Sequence, residues 1–335
     1  MKRLFKIIVA FVTIVSLLAT LKIKTIGKPF SDYDFGNYVA KSNYDTTKDV
    51  QLTFLGTSGF VINYKGKKMI TDPYFSNPDV FKNFVEKLQF PKLSENILPR
   101  SIYENANTIV ISHGHYDHCL NIENFLTKGV PTKIIAEQHI TNEINSVKNN
   151  FDVQFENDMQ SYHYSSDSTF RIFPLNSPHS PHFADITLFT GLYQEPLKHL
   201  PDRFWKWKLH GNYSYLIDIL EKDSIVYRCL FLSGNITDAS VEKVRALCEN
   251  KNVDIALQIF WKEKACLPGL NKVYAAGKPK KIILHHWNNF FKPYDKNIEV
   301  MRDTHLDKVL KKLNNEGKNT QIMLPFSSIS FDINN

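Results

Sequence analysis

The sequence lacks the features that define several protein classes. Only four cysteines occur in 335 residues, and they form neither a C-x-x-C pair nor a disulfide framework, which excludes a small disulfide-stapled protein. Glycine is sparse at 13 residues, and no repeat or low-complexity tract is present, which excludes collagen-like and disordered chains. A hydrophobic content of 43% instead indicates an ordinary globular protein.

An excess of basic residues is also missing from most of the chain. The formal net charge is +7, but the first 28 residues contain six Lys or Arg and no Asp or Glu. The rest therefore holds 35 basic against 34 acidic residues. Because this near-balance provides no basic surface for a polyanion, we expect no nucleic-acid partner.

One long apolar run is present, at the N-terminus. Ile7 to Leu21 is apolar apart from three Ser or Thr residues, and it follows Lys2, Arg3 and Lys6. A basic segment followed by an apolar one is typical of a signal peptide or a signal anchor. Counted from Leu4, the run would be about 27 Å long as a helix, close to the ~30 Å of a bilayer core.

Cleavage of this segment is weakly supported. Leu17 occupies a position where a small residue is preferred before a cut after Ala19. We therefore predict a signal anchor, forming a transmembrane helix, over residues 1–28, with a cleaved signal peptide and a buried helix as alternatives. Either of the first two would make the protein membrane-anchored or exported, with its body outside the cytoplasm.

Beyond residue 30 the pattern predicts many short strands and fewer helices. Strands first come in a consecutive group, Val50–Leu55, Gly59–Tyr64 and Lys67–Thr71, and later alternate with helices. The pattern also predicts a strand at Ile186–Phe189 and a long helix at Asn297–Leu313. The expected fold is a sheet-rich α/β sandwich covered by helices. Because no linker divides residues 30–335, we expect a single domain there.

The most informative segment follows a predicted strand at Thr108–Ser112. It reads His113-Gly114-His115-Tyr116-Asp117-His118. In extended backbone, residues i and i+2 project to the same side, so His113 and His115 can bind one ion. Asp117 and His118 lie at the turn into the next helix and suit a second ion. Imidazole with carboxylate favours Zn²⁺ or another divalent transition metal.

This segment resembles the H-x-H-x-D-H signature of the metallo-β-lactamase superfamily. The resemblance extends to further segments in the same order and spacing, and it is greatest to the branch of the ascorbate-6-phosphate lactonases and the N-acylphosphatidylethanolamine phospholipases D. It implies the four-layer αββα sandwich of that superfamily, with the site along one edge of the two sheets. The segments are Phe54–Phe60, Ile70–Pro73, Ser177–Ser180, Leu230–Asn235 and Leu284–Phe290.

The resemblance also implies two sets of metal ligands. The first metal would be held by His113, His115 and His179, and the second by Asp117, His118 and His286. His182 is the alternative to His179, and His285 is the alternative to His286. Asp72 would orient a ligand imidazole from outside the ligand set, or it is a plain turn aspartate.

One position departs from the family pattern. Asn235 stands where the family has the aspartate that bridges the two metals. A neutral amide leaves one more positive charge uncompensated than a carboxylate would, so the second ion is expected to bind more weakly. Asp238, three residues further on, is a candidate substitute.

The function that this resemblance implies is a hydrolase that uses one or two zinc ions per chain. A metal-bound hydroxide would attack an ester, lactone or phosphodiester, with Asp117 as the catalytic residue that orients it. The substrate would be a small molecule or a lipid. The aromatic and basic stretch Phe204–Lys208, together with an N-terminal anchor, would suit a lipid phosphodiester, or it is only a packed loop. The alternatives are a catalytically impaired metal- or ligand-binding protein on the same fold, and an iron oxidoreductase.

Overall fold

The computed structural model describes residues 27–79, 86–182, 186–294 and 297–333. The strands are β1 Gly27–Pro29, β2 Val50–Gly56, β3 Gly59–Tyr64, β4 Lys67–Thr71, β5 Thr108–Val110, β6 Thr132–Ile135, β7 Val153–Glu156, β8 His163–Tyr164, β9 Phe170–Asn176, β10 Tyr213–Glu221, β11 Ser224–Leu232, β12 Ile255–Ile259, β13 Lys281–His285, β14 Glu299–Met301, β15 Thr320–Ile322 and β16 Ser328–Phe331. The α-helices are α1 Arg100–Tyr103, α2 Tyr116–Cys119, α3 Ile122–Phe125, α4 Gln138–Glu143, α5 Asp238–Leu247, α6 Glu263–Gly277 and α7 Leu306–Asn315.

Two seven-stranded sheets form the centre of the fold. The first has the order β16-β2-β3-β4-β5-β6-β7 and the second the order β15-β13-β12-β11-β10-β9-β8. In the first sheet β2, β3 and β4 are antiparallel neighbours, whereas β4 to β7 run parallel. The turn between β3 and β4 has positive φ at both Lys65 and Gly66, the backbone that suits a two-residue hairpin.

Three buried apolar clusters define four layers. One lies between the sheets and joins residues such as Phe54 and Ile62 of the first sheet to Ile217 and Phe231 of the second. The other two lie on the outer faces, where α1 to α4 cover the first sheet and α5 to α7 cover the second. Side chains alternate between inner and outer clusters along the strands, as the pleat requires. The predicted αββα sandwich is therefore confirmed.

The predicted strand at Ile186–Phe189 is wrong. The backbone N–H of Leu188 donates to Nδ1 of His182 at 3.1 Å, and its carbonyl lies 3.2 Å from Nε2 of His115. Phe189 has a φ of 56°, which is not an extended conformation. The carbonyls of Ile186 and Phe189 accept from the N–H groups of His182 and Leu209, but these backbone bonds are isolated and form no ladder over the described segment.

The predicted helix at Asn297–Leu313 is wrong over its first half. Glu299–Met301 forms β14, which pairs with β1 at the start of the described chain, and the helix begins only at Leu306. His305 has a φ of 45° and breaks the backbone between the two elements. Pairing with a segment about 270 residues away, which no local pattern reveals, decides the conformation here.

A membrane span was predicted for the N-terminal segment, which lies outside the described residues. Within the residues that the structure describes, no helix is long and apolar enough to cross a bilayer.

Candidate metal centre

The ends of five strands carry the predicted site residues. Asp72 follows β4 and the segment His113–His118 follows β5 in the first sheet, whereas His179, Asn235 and His286 follow β9, β11 and β13 in the second. Within each sheet these strands run in one direction, since β9 and β11 are both antiparallel to β10 and β11 to β13 are parallel. Their carboxyl ends therefore lie at one edge of the sandwich.

The structure brings the predicted ligands together in two groups. His113, His115 and His179 each offer a ligand atom, and these atoms lie within 4.8 Å of one another. Asp117, His118 and His286 form a second group with the same spacing. Both groups contain residues of both sheets, so the fold rather than the local sequence brings the members together. Metal binding by these residues stays a prediction.

Hydrogen bonds in the first group leave one nitrogen of each imidazole free. Nε2 of His115 donates to the carbonyl of Leu188 at 3.2 Å, and Nδ1 of His179 donates to the carbonyl of Ser180 at 2.6 Å. His113 is fully buried, and its Nε2 has no hydrogen-bond partner within the described chain. A buried lone pair without a partner is unfavourable unless a ligand occupies it. The three free ring nitrogens therefore fit a borderline divalent ion such as Zn²⁺.

The second group is oriented by a fully buried carboxylate. Oδ2 of Asp72 lies 2.6 Å from Nδ1 of His118 and accepts from the hydroxyl of Ser112 at 2.7 Å. Oδ1 accepts from the backbone N–H of Ser112 at 2.7 Å. Nδ1 of His118 is thereby occupied, and Nε2 is the nitrogen that faces Asp117, 3.7 Å from its Oδ2.

Asp117 lies between two imidazoles. Its Oδ2 is 3.3 Å from Nε2 of His286, while Nδ1 of His286 is buried and has no partner in the described part of the chain. Burial raises the pKa of the Asp117 carboxyl, but the neighbouring His118 and His286 outweigh it and hold the pKa below its usual range. The carboxylate is therefore ionised and available as a ligand or a proton acceptor.

The imidazoles of the first group are kept neutral. Burial first, and neighbouring imidazoles second, lower the pKa of His113 and of His179 well below the usual value. Burial likewise lowers the pKa of His115 to about 3. Since the neutral imidazole is the form that binds a metal, the ring nitrogens need no proton release at neutral pH.

The two alternative histidines are held in other contacts. His285 is fully buried, and its Nδ1 and Nε2 lie 3.2 Å from the hydroxyl of Ser58 and 3.1 Å from the carbonyl of Leu232. His182 stacks on His179 with ring centroids 4.7 Å apart, but its Nδ1 accepts from the N–H of Leu188. Neither belongs to the two groups of converging ligand atoms among the described residues.

Asn235 is partly buried beside the first group. Its side-chain Nδ2 donates to the hydroxyl of Ser180 at 3.0 Å, and its backbone N–H donates to the carbonyl of Pro178 at 2.9 Å. Asp238, the candidate substitute, is exposed and pairs with Lys272 at 2.5 Å. The structure thus directs Asp238 away from the predicted site.

Sequence reasoning missed two contributors. The hydroxyl of Ser112, at the position before the His113 motif, connects Asp72 to the rings of His113 and His118 at 3.0 and 3.3 Å. A polar residue at the end of a buried strand was the available signal. The carbonyl of Leu188 had no such signal, because a distant loop brings it to the site.

Gly114 has a packing reason inside the motif. A Cβ at this position would lie 2.3 Å from the carbonyl oxygen of Lys208 and 2.6 Å from Oε2 of Glu143. Only glycine lets the backbone between the two histidines approach so closely.

The fold is the metallo-β-lactamase fold. Residues 51–171 match the model of the Beta-lactamase superfamily domain. The structure of Igni18, a metallo hydrolase from Ignicoccus hospitalis, aligns with a TM-score of 0.52 at 16% identity, over 84% of this chain and 98% of that one. That of a possible metal-dependent hydrolase from Veillonella parvula aligns with a TM-score of 0.53 at 12% identity, over 84% of this chain and 99% of that one.

One curated relative is similar in sequence. It is a UPF0173 metal-dependent hydrolase from Aeropyrum pernix, 28% identical over 86 residues, or 26% of this chain. The chain matches only 29% of the length of that relative.

Proposed function

We propose that the protein is a metal-dependent hydrolase that uses zinc at the two groups of converging ligands. The observation that carries this proposal is the buried Nε2 of His113, which lacks a partner in the described chain and lies in a group of three imidazole donors. The fold and the metal-dependent hydrolase among its relatives support a hydrolase. A divalent ion held by these residues would lower the pKa of a bound water toward neutrality and would polarise an oxygen of the substrate.

Asp117 is the residue we assign to proton handling. Its carboxylate is ionised, and the neighbouring rings of His118 and His286 hold it in place. A carboxylate in this position can accept a hydrogen bond from the attacking water, orient it, and later transfer a proton to the leaving group. Asp72 acts through His118, and Ser112 acts through His118 and His113, so both are positioning residues.

Aromatic rings lie beside both groups. The ring of Phe290 meets His286 edge to face at 4.8 Å, and the ring of Phe189 lies 6.4 Å from His115. Such apolar walls lower the local dielectric and strengthen the interactions of the charged groups inside.

The proposed substrate is an ester, a lactone or a phosphodiester, either a small molecule or a lipid. Exposed apolar side chains on the segment beside the site, Ile186, Leu188 and Leu192, support an amphipathic substrate. Together with the predicted N-terminal anchor, they suit an enzyme that works at a membrane surface outside the cytoplasm.

A second candidate is a metal- or ligand-binding protein without turnover. It is favoured by Asn235, whose neutral amide is hydrogen-bonded to Ser180 and cannot supply the negative charge of a bridging carboxylate.

The test combines metal analysis with hydrolysis of bis(p-nitrophenyl) phosphate and p-nitrophenyl esters by the full chain in detergent. The proposal expects one or two zinc ions per chain and turnover that a chelator abolishes and zinc restores. His113→Gln should lose zinc and turnover, whereas the exposed control His199→Gln should keep both. Bound zinc without turnover would favour the second candidate, a binding protein. Bound iron without hydrolysis would contradict the proposal of a zinc hydrolase.

A further inference from the structure

A cavity of about 420 Å³ opens beside the first group of ligands. His179 forms one part of its wall, and other parts come from Glu137, just before α4, and from residues 209–213, which lead into β10. A substrate whose reacting centre lay at His179 would therefore place an adjoining group in this cavity. Its volume suits a small polar group or a short chain.

The charges lining the cavity are unbalanced. No Lys or Arg belongs to the described residues that line it, whereas Glu137 supplies a carboxylate. The other polar lining residues are the histidines His179 and His210 and neutral amides and hydroxyls, among them Asn176 and Thr187. An anionic arm in this cavity would meet the carboxylate of Glu137 and no Lys or Arg of the described wall, which opposes its binding.

Glu137 and His210 form a fixed pair in this wall. Nδ1 of His210 donates to Oε1 of Glu137 at 2.5 Å, and the backbone N–H of Gly211 donates to Oε2 at 2.8 Å. A Cβ on Gly211 would lie 2.7 Å from Oε2, so glycine permits this close approach. Both carboxylate oxygens are thus held in place.

The pair with Glu137 determines which ring nitrogen of His210 can contact a ligand. Donation of Nδ1–H to Glu137 leaves Nε2 as the second polar atom of the ring, and it carries the lone pair in this tautomer. Nε2 makes no hydrogen bond to any described residue. The side chain is 49% exposed, so a ligand can reach it. Nε2 and the carboxylate together complement a group that donates hydrogen bonds.

We propose that this cavity is the subsite for the second arm of the substrate, and that it selects an arm carrying hydroxyl or ammonium donors over an anionic arm. The inference rests on the proposed function, because it takes His179 as the point where the reacting group is held. Glu137 contributes the charge selectivity and His210 the directed acceptor.

Binding of product analogues tests the subsite without requiring turnover. The zinc-loaded full chain is titrated calorimetrically with phosphorylethanolamine, glycerol 1-phosphate and 3-phosphoglycerate, which share a phosphate and differ in the second arm. We expect the first two ligands to bind at least about tenfold more tightly than 3-phosphoglycerate. Hydrolysis of bis(p-nitrophenyl) phosphate is measured in the same samples, so that failure of the hydrolase proposal is seen separately.

Variants assign the selectivity to the pair. Glu137→Gln keeps the acceptor for Gly211 but removes the charge, so the preference for phosphorylethanolamine should fall to less than about threefold. His210→Gln should weaken the binding of glycerol 1-phosphate. The exposed controls Glu123→Gln and His199→Gln should bind all three ligands as the native protein does. The proposed subsite would be contradicted by equal affinities for the three ligands or by no binding of any of them. A preference that persists in Glu137→Gln would also contradict it.

Discussion

The carboxylate of Asp72 lies 2.6 Å from Nδ1 of His118, and both side chains are almost completely buried. The φ of Asp72 is 37°, so the turn after β4 adopts a left-handed backbone that aims this side chain across at the neighbouring strand end. The pair fixes which nitrogen of His118 faces the second group of predicted ligands.

The first prediction concerns this pair. Asp72→Asn keeps a residue that tolerates positive φ but removes the charged acceptor, so zinc affinity at the second group should fall by about 10- to 100-fold. Competition with a chromogenic chelator measures the change. Asp223→Asn, an exposed hairpin residue that also has positive φ, is the matched control and should leave zinc affinity unaltered. Native affinity in Asp72→Asn would reduce Asp72 to a turn residue.

This part of the site could be predicted from the sequence because its residues are close together in the chain. His113, His115, Asp117 and His118 lie within six residues after one strand, and the spacing alone separates them into two sets. His179 and His286 came from the family resemblance, since only the folded sheets bring them near the motif. Ser112 and Leu188 were not predicted as site residues because their roles depend on hydrogen bonds made in the folded structure.

The fold was predictable for a similar reason. The hairpin strands β2, β3 and β4 are close in sequence and were placed nearly to the residue. Helix α6 was missed, because Pro268 and Gly269 lie inside it and are both unfavourable in a helix interior. Tertiary packing of Cys266, Leu270 and Val273 against the second sheet compensates for that local preference.

The second prediction concerns the missing bridge. Asn235→Asp introduces a negative charge beside the first group, and the new carboxylate can accept a hydrogen bond from Ser180 in place of the present donation. We expect zinc bound per chain to rise toward two at limiting zinc, with affinity at the second group higher by at least about tenfold. Metal analysis after dialysis measures it. Asn37→Asp, at an exposed position, controls for net charge. An equal rise in bound zinc in this control would contradict a specific role of position 235.

The third prediction concerns the thiols. All four cysteines are buried and unpaired, and burial raises the pKa of each thiol, that of Cys266 to about 11. A neutral buried thiol is a poor nucleophile, so the native chain should react slowly with Ellman's reagent. Unfolding in guanidinium without a reductant should release four thiols per chain. Two thiols would mean that a disulfide forms in the protein.

The last prediction follows from Glu143, which lies behind the motif. The carboxyl is fully buried, Oε1 accepts from the N–H of Lys208 at 2.7 Å, and Oε2 has no partner within the described residues. Burial raises its pKa well above the ordinary value of 4.5, so the folded state holds a proton that the unfolded chain releases. The stabilising effect of this proton is complete below pH 4.5 and is lost as pH rises through the folded-state pKa.

Glu143→Gln removes this titration while keeping the acceptor for Lys208. The free energy of unfolding of the variant, relative to the native protein, should therefore increase as pH rises above about 4.5. Urea unfolding of the zinc-free protein at several pH values measures the difference. Glu123→Gln, an exposed glutamate with the same change, should show no such slope. A flat difference for Glu143→Gln would contradict the raised pKa, because the carboxyl would then titrate alike in the folded and unfolded states.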